Sequence, residues 1–432
     1  MVAGTAAAKT VVIKRRLQLL GVLVAVAAAV TLAASFCNRL PPAEKLPAVA
    51  AADPAFAPSM EAHTSSPVVG GNRIDVLLNG DQIFPAKLAV IRSAQTSITY
   101  AEYFFADGGP AREIAEALAE RCRAGVTAHI LLDGFGTLTM PREYVKLLKA
   151  AGCQVATFRP LGRWVSVGRH NKRNHRRVLI ADGRVAVTGG SGVSDKWTGD
   201  GHVDGHWRDT DILIEGPAVR SIQSAFFENW REATGELLGG ERYLGNGRPI
   251  GQARAQVVKS SPASGYEMYT MYLLAIGAAR RSIYLTNPYF LPDDRMEDAL
   301  LAAAARGVRV VALTPGKIDY NVVRAASRHG FGRLLLAGIE IYEYQAALLH
   351  AKTMVVDGVW ATVGSTNFDN RSFALNDELN VALYDAAVVA RLVTAFETDL
   401  ASARRVTYEA WKNRGLRTRL LERLVLPIES QL

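Results

Sequence analysis

The sequence predicts an α/β protein built from two similar sandwich halves with mixed sheets, packed as a pseudo-two-fold dimer and preceded by one N-terminal transmembrane helix. Three observations predict this architecture. An uncharged run of 20 residues lies near the N-terminus, helical and strand-like segments alternate in an order that occurs twice, and one polar motif recurs with the same spacing. A chain of 432 residues is also long enough for about two domains.

The N-terminal run "LQLLGVLVAVAAAVTLAASF", residues 17–36, follows a basic cluster at 14–16. A run of this length can cross a bilayer as a helix. A cleaved signal peptide is the alternative, but the length and the lack of a small-x-small site favour an uncleaved anchor over 1–37. The basic cluster then places the remainder of the chain outside the cytoplasm. Residues 38–72 are rich in Ala and Pro and are expected to form a linker.

The helix and strand pattern repeats along the chain, and the first three pairs of matching segments read as a helix followed by an apolar strand. A Gly-rich, aperiodic stretch at 240–256 marks the boundary between the halves. The matching pairs are 89–105 with 274–290, 111–134 with 296–316, 147–158 with 334–344, and 208–219 with 377–388.

The polar motif is "NHRRVLIADGRVAVTGG" (174–190) in the first half and "LHAKTMVVDGVWATVGSTN" (349–367) in the second. His175, Arg177 and Asp182 stand at positions i, i+2 and i+7 of their copy. In the second copy, the same spacing relates His350, Lys352 and Asp357. Since residues i and i+2 of a strand point to the same face, each histidine shares a face with a cation.

Each copy contains an Asp-Gly pair that predicts a hairpin turn, and Asp182 and Asp357 are interpreted as structural residues of these turns. The returning strand brings Gly189 and Gly190, or Gly364 and Ser365, back beside the histidine. Small residues at that place are expected to let backbone amides approach a bound anion.

Two imidazoles and two fixed cations suit displacement at a phosphodiester. One histidine attacks phosphorus and the other protonates the leaving alcohol, while Arg177 and Lys352 neutralise the oxygens of the phosphoryl group. Aligning "IEGPAV" with "LYDAAV" places Asp209 opposite Glu378, and these are the expected carboxylates that orient the imidazoles. A surface salt bridge is the alternative role for either one.

The twice-repeated H-x-K-x(4)-D pattern resembles the phospholipase D superfamily over residues 75–410. The second copy matches in full, including Asn367, whereas the first has Arg177 in place of the usual Lys and Gly192 in place of Asn. The resemblance implies phospholipase D-like domains at 73–245 and 255–410. It also implies that Gly189, Gly190, Ser365 and Asn367 bind substrate and that neither a metal nor another cofactor is required.

Within this superfamily, "TGGSGVSDKW" and "HWRDTDILIEGPAV", together with the N-terminal apolar helix, are similar to bacterial cardiolipin synthases. The resemblance implies an inner-membrane phosphatidyltransferase that converts two phosphatidylglycerols into cardiolipin and glycerol through a phosphatidyl-histidine. It implies that His175 is the nucleophile and His350 the acid/base. The near symmetry of the motifs leaves that assignment open.

The net charge of +9 favours an anionic partner, for which an anionic membrane surface is expected and nucleic acid is not. Three alternatives stay open: a phospholipase D that hydrolyses phospholipid to phosphatidic acid, a nuclease or other phosphodiesterase, and a scaffold without activity. The tail at 411–432 is a basic amphipathic helix, suited either to a lipid interface or to docking on the protein itself. Cys122 and Cys153 are expected to be buried thiols.

Overall fold

The computed structural model describes residues 45–162, 171–262, 266–319, 321–425 and 431. The predicted transmembrane helix at 17–36 and the first part of the predicted linker lie outside these residues. Within the described ranges, no helix combines the length and the apolar character that a membrane crossing requires.

Helices and strands alternate through both halves, with a 3₁₀ turn at Asp195–Trp197. The first half comprises α1 (Phe56–Thr64), β1 (Val68–Leu78), α2 (Asn79–Ser93), β2 (Ser97–Glu102), α3 (Gly109–Arg123), β3 (Thr127–Asp133), α4 (Arg142–Ala150), β4 (Gln154–Phe158), β5 (Val178–Ala181), β6 (Val185–Gly189), β7 (Trp207–Arg208), β8 (Thr210–Glu215), α5 (Val219–Thr234) and α6 (Glu241–Leu244). The second half comprises β9 (Ala253–Ser260), α7 (Glu267–Ala278), β10 (Ser282–Thr286), β11 (Phe290–Leu291), α8 (Asp294–Ala305), β12 (Arg309–Pro315), α9 (Asn321–Leu336), β13 (Glu340–Tyr344), β14 (Leu348–Leu349), β15 (Thr353–Val356), β16 (Trp360–Gly364), β17 (Phe368–Asp369), α10 (Asn370–Ala374), β18 (Glu378–Leu383), α11 (Ala386–Ala401), β19 (Ala403–Val406), α12 (Tyr408–Lys412) and α13 (Leu416–Val425).

A single mixed sheet of 15 strands runs through both halves, in the order β19-β13-β12-β10-β15-β16-β18-β9-β1-β8-β6-β5-β2-β3-β4. From the central β1–β9 pair outward, the strand orders β1-β8-β6-β5-β2-β3-β4 and β9-β18-β16-β15-β10-β12-β13 correspond one to one. The predicted repeat and the mixed sheets are therefore present. The halves differ from the expected packed pair because they share one sheet, joined where β1 and β9 pair antiparallel, as at Val68 and Gln256.

Helices cover both faces of this sheet. On one face, α2, α3 and α4 pack on the first half, and α7, α8 and α9 pack on the second. On the other face, α5 and α11 share one apolar cluster that spans the centre of the sheet, with residues such as Phe226 and Leu392. The two halves are thus joined by a common core as well as by strand pairing.

The Asp-Gly turns join β5 to β6 and β15 to β16, and Asp182 and Asp357 both adopt left-handed backbone conformations, with φ of 55° and 54°. The Asp182 carboxylate accepts hydrogen bonds from the backbone amides of residues 95–97. The Asp357 carboxylate does the same for the amides of residues 280–282. Each aspartate therefore holds the loop that enters β2 or β10.

The predicted linker at 38–72 contains α1, which is packed on the protein. Phe56 and Met60 are 3% and 0% exposed and belong to the apolar core of the second half, where Phe56 meets the ring of Trp360 edge-on. The amide of Ala51 also donates to the carbonyl of Ala278 in α7. The linker prediction is thus wrong for this segment, because apolar residues at i and i+4 give α1 a face that the second half buries.

The prediction of free thiols is also wrong, because Cys122 and Cys153 form a disulfide. Cys122 lies in the last turn of α3, and Cys153 follows α4 directly before β4. Since α3 and α4 pack side by side on one face of the sheet, their ends bring the two sulfur atoms together. A separation of 31 residues gave no sign of this contact in the sequence.

Candidate active site

Short backbone bridges between the two halves place the two polar motifs. The amide of His175 donates to the carbonyl of Asp377 at 2.9 Å, and the amide of Asp377 donates to the carbonyl of Arg173. On the other side, β14 pairs with β7, and the amide of His350 donates to the carbonyl of Arg208 at 2.7 Å. His175 is therefore anchored to Asp377, which precedes Glu378 of the second half. In the same way, His350 is anchored to Arg208, which precedes Asp209 of the first half.

This anchoring produces crossed histidine–carboxylate pairs. Nδ1 of His175 lies 2.9 Å from Oε1 of Glu378, and Nδ1 of His350 lies 2.7 Å from Oδ2 of Asp209. Both carboxylates are 0% exposed, and each histidine is 7% exposed. Because each imidazole meets its carboxylate through Nδ1, Nε2 is the ring nitrogen that the carboxylate leaves available.

The two motif cations are buried next to the histidines. Nζ of Lys352 lies 2.8 Å from Nδ1 and 3.1 Å from Nε2 of His350, and it also donates to the carbonyl of that residue. The Arg177 guanidinium donates to the carbonyl of His175 and lies 5.4 Å from the centre of the Tyr103 ring. Its Nε has no hydrogen-bond partner among the residues described. The site thus holds cationic donors suited to phosphoryl oxygens.

Burial, followed by the positive charges of Arg177 and Lys352, lowers the pKa of His175 well below its usual value. Burial and Lys352 also lower the pKa of His350, to about 4, against the opposing effect of the Asp209 carboxylate. Both imidazoles are therefore neutral at pH 7 when no substrate is bound.

The two carboxylates differ in their electrostatics. Burial raises the pKa of Glu378 to about 7, although hydrogen bonding from Ser365 opposes the rise. Burial acts in the same direction on Asp209, but the charges of His350 and Lys352 outweigh it and hold the pKa of this carboxyl below its usual range. Burial also lowers the pKa of Lys352 to about 7. His350 consequently faces a carboxylate that stays ionised, whereas His175 faces one that is close to protonation.

The small residues after each hairpin make room for the carboxylates. A Cβ at Gly190 would lie 2.3 Å from Oδ1 of Asp209, and a Cβ at Gly189 would lie 2.3 Å from Oδ1 of Asp211. The Gly190 amide donates to the carbonyl of Thr210 at 3.2 Å, and a contact of Gly189 or Gly190 with substrate stays a prediction. In the second half the Ser365 hydroxyl donates to Oε2 of Glu378 instead.

In the first half, the ring of Trp197 fills the space where the second half has the side-chain amide of Asn367. A Cβ at Gly192, the position that matches Asn367, would lie 2.9 Å from the ring of Trp197. The indole Nε1 of Trp197 donates to Oδ2 of Asp209 at 2.8 Å. Oδ1 of Asn367 is buried with no hydrogen-bond partner in the described part of the chain. Sequence reasoning missed Trp197, for which the longer first-half insert "SDKWTGDGHVDGHW" was the available signal.

A buried ionic cluster beneath Arg177 was also missed. Nζ of Lys87 donates to the Ser191 hydroxyl at 2.9 Å and lies 3.4 Å from Asp211 and 3.9 Å from Glu102. These four side chains are all buried. In the second half the matching positions of the aligned segments hold uncharged residues, namely Tyr272, Asn287, Thr366 and Asn380.

No three His, Cys, Asp or Glu side chains within the described ranges cluster so that they could hold a metal ion.

A family model described as "Cardiolipin synthase, PLD-like domain" matches residues 88–230 and 272–400, which are the central parts of both halves. The chain belongs to this family. Its similarity to the cardiolipin synthase of Geobacillus kaustophilus is 35% identity over 368 residues, or 84% of this chain and 73% of that protein. The cardiolipin synthase of Oceanobacillus iheyensis is 36% identical over 362 residues, covering 83% and 75% of the two chains.

Among solved structures, the phosphatidylserine synthase of Haemophilus influenzae Rd KW20 matches with a TM-score of 0.67 and 12% identity. The match covers 87% of this chain and 100% of that one. At this identity the match shows that the fold of this cardiolipin synthase family member is shared.

Proposed function

We propose that this enzyme is a membrane-associated phosphatidyltransferase of the cardiolipin synthase type, which moves a phosphatidyl group between phospholipids through a phosphohistidine. The observation that carries the proposal is the pair of buried, crossed contacts between His175 and Glu378 and between His350 and Asp209. A site assembled from both halves, with a cation beside each imidazole, has the groups that a two-step displacement needs. Family membership supports a phospholipid as the substrate.

In the first step, Nε2 of His175 attacks the phosphorus of the donor lipid. The nitrogen–phosphorus bond forms, the bond to the leaving oxygen breaks, and His350 gives its proton to that oxygen. Binding of the anionic phosphodiester adds a negative charge that raises the pKa of His350, so that this imidazole can carry the proton. When the donor is phosphatidylglycerol, the leaving group is glycerol.

In the second step, the neutral His350 takes a proton from a hydroxyl of the acceptor lipid. The acceptor oxygen then bonds to phosphorus, the nitrogen–phosphorus bond breaks, and His175 is released. With a second phosphatidylglycerol as acceptor, the product is cardiolipin. With water as acceptor the product is phosphatidic acid, so hydrolysis and transfer share one intermediate and differ in access to it.

The electrostatics of the two pairs support this division of roles. An imidazolium at His350 is stabilised by Asp209, whose carboxyl stays ionised. The pKa of Glu378 is raised to about 7, so this side chain compensates a positive charge on His175 less well, which suits a nucleophile that starts neutral. Arg177, Lys352 and the unpartnered oxygen of Asn367 are proposed to contact substrate. Asp182 and Asp357 are proposed as structural residues.

The proposed location is the bacterial inner membrane, with the catalytic halves on the non-cytoplasmic side and the run at 17–36 as a single anchor. The disulfide between Cys122 and Cys153 supports this location, because disulfides persist in oxidising compartments and are rare in the cytosol.

The test uses purified protein in mixed micelles that contain labelled phosphatidylglycerol and a metal chelator, with products followed by mass spectrometry. Cardiolipin together with glycerol is the expected result. Phosphatidic acid alone would identify a hydrolytic phospholipase D. The absence of any lipid product would contradict the proposal and would direct attention to nucleic acid substrates or a binding role.

A further inference from the structure

Helix α13 is packed with its polar side inward and its leucines outward. Glu422 is 0% exposed and accepts hydrogen bonds from the Arg414 guanidinium at 2.8 and 2.9 Å. The leucines of the helix are exposed, at 81% for Leu416, 60% for Leu420 and Leu421, and 66% for Leu424. At about 100° per residue, these four leucines lie on the side opposite Glu422. They are called the leucine ridge below.

The charged groups around the leucine ridge are basic. Arg417 is exposed between the leucines, Arg423 is exposed at their edge, and Glu422, the helix's one acidic residue, is buried and paired. Helix α13 packs against α9, and beside this contact a cavity of about 840 Å³ lies between α13 and the second half. Its lining includes Arg419 and Arg423. The accessible surface of this helix thus presents leucine and arginine together.

We propose that the leucine ridge docks this enzyme on an anionic phospholipid bilayer, with the leucines among the acyl chains and the arginines at the headgroup phosphates. A contiguous set of exposed leucines marks an interaction surface, whereas single scattered apolar residues on a surface do not. Basic residues beside them match the negative surface of such a bilayer. A second copy of the chain would bring the same basic charges against each other, so the charge favours lipid over self-association.

The cavity under α13 is lined in part by a residue close in sequence to the candidate active site. Asn370 lines the cavity under α13, and it follows Asn367 of the candidate active site by three residues. The inference rests on the proposed function only for the identity of the lipid that enters the site. The docking surface itself is defined by exposure and charge.

The test replaces Leu420 with tryptophan in the full-length protein and places the protein in phosphatidylglycerol vesicles whose acyl chains carry bromine. Leu237→Trp is the matched control, because Leu237 is 77% exposed and lies after α5, away from α13. Bromine should quench the emission of Leu420→Trp at least about twofold more than that of Leu237→Trp. Vesicles of zwitterionic lipid or high salt should weaken the difference.

Equal quenching of the two variants would overturn the proposal. Blue-shifted emission from Leu420→Trp without quenching would also overturn it, because protein would then cover the ridge. If the blue shift depends on protein concentration, a second copy of the chain covers the ridge. If it does not, the chain's own N-terminal segment covers it.

A second measurement separates docking from chemistry. Leu420→Asp combined with Leu424→Asp should reduce turnover of phosphatidylglycerol in vesicles by about tenfold, while turnover of dissolved short-chain phosphatidylglycerol stays within about twofold. If neither substrate is turned over by the unaltered enzyme, the proposed function fails, yet quenching still reports docking. Equal loss on both substrates would contradict a docking role for the ridge.

Discussion

The two halves share a backbone plan but differ in how they compensate buried charge. Beneath Arg177 the first half carries an ionic cluster of Lys87, Glu102 and Asp211. Burial raises the pKa of Glu102 to about 7, against the opposing charges of Lys87 and Arg177. The second half has neutral residues at the matching positions, and there the side-chain amide of Asn380 donates to the hydroxyl of Tyr272 at 3.1 Å.

Lys352 therefore takes the first part of its counter-charge, Asp209, from the opposite half. Asp209 favours its charged form, as does Glu378, whereas burial and Arg177 disfavour it. Because buried charges need partners close by, Arg177 draws on Glu102 of its own half as well as on Glu378, whereas Lys352 draws first on Asp209 across the junction. A repeat whose backbone is preserved can therefore still place different electrostatics in its two halves.

Replacement of each histidine should have the largest effect on turnover and tests whether both halves are needed. His175→Ala and His350→Ala should each lower turnover of phosphatidylglycerol by about 10³- to 10⁴-fold, since both steps lose an essential group. Near-full activity in either variant would contradict the two-histidine mechanism.

A phosphodiester with a nitrophenol leaving group separates the two roles, because nitrophenol departs without a proton donor. With this substrate, His350→Ala should still release a burst of about one nitrophenol per enzyme, whereas His175→Ala should release none. The opposite pattern would exchange the roles of the two histidines.

A smaller but still large effect is expected from the buried cluster. Lys87→Met leaves Glu102 and Asp211 without their cation and should cost about 3–5 kcal/mol of unfolding free energy. The matched change in the second half, Tyr272→Phe, removes one neutral hydrogen bond and should cost about 1 kcal/mol. Denaturant unfolding followed by tryptophan fluorescence measures both. Equal losses of unfolding free energy in the two variants would show that the buried charges of the first half contribute no more to stability than the neutral residues of the second.

The raised pKa of Glu378 predicts a pH-dependent stability. Because its folded pKa of about 7 exceeds the ordinary value of 4.5, the folded state binds more protons between these values, and stability falls as pH rises through them. The charge on Glu378 should lower the unfolding free energy by at most about 3 kcal/mol as pH rises through this range. Glu378→Gln should remove that decline. The two histidines change stability in the opposite direction, so the measured quantity is the difference between the variant and the unaltered protein.

The control for this measurement is Glu397→Gln on the exposed side of α11, which should leave the pH dependence unchanged. A Glu378→Gln protein with the same pH dependence as the unaltered protein would show that Glu378 ionises normally.

The smallest expected effect concerns the two cations. Arg177→Lys restores the usual motif, and turnover should stay within about tenfold, or about 1.4 kcal/mol in the barrier. Lys352→Arg should cost more, because Lys352 lies against both ring nitrogens of His350 and close to Gly190, where a wider guanidinium has no space. Steady-state kinetics on phosphatidylglycerol measures both. A larger loss of turnover for Arg177→Lys than for Lys352→Arg would mean that the first half requires the planar guanidinium of Arg177.

The repeat, the paired strands and the polar motifs were predictable, because strand periodicity and turn chemistry are local properties of the sequence. The expectation that His175 and Arg177 share a strand face is wrong, because both precede β5, which begins at Val178. The crossing of the pairs was not predictable. It follows from short bridges such as that between His175 and Asp377, and nothing in either segment specifies its partner.

The missed features share this non-local origin. The disulfide depends on how α3 and α4 pack, and the position of α1 depends on a surface that the second half provides. Trp197 stands in an insert that has no counterpart in the second half, so comparison of the repeats could not assign it a role.

The continuous sheet has a consequence for the order of synthesis. A ribosome releases β1 and α1 long before β9 and α7. Strand β9 later covers the edge of β1, and α7 covers the apolar face of α1. His175 likewise waits for Glu378, near the end of the chain. The nascent first half therefore carries an uncovered edge that invites wrong pairing, and no phosphoryl transfer can begin on an incomplete chain. Catalytic competence is thus acquired only after Glu378 has emerged, 203 residues after His175.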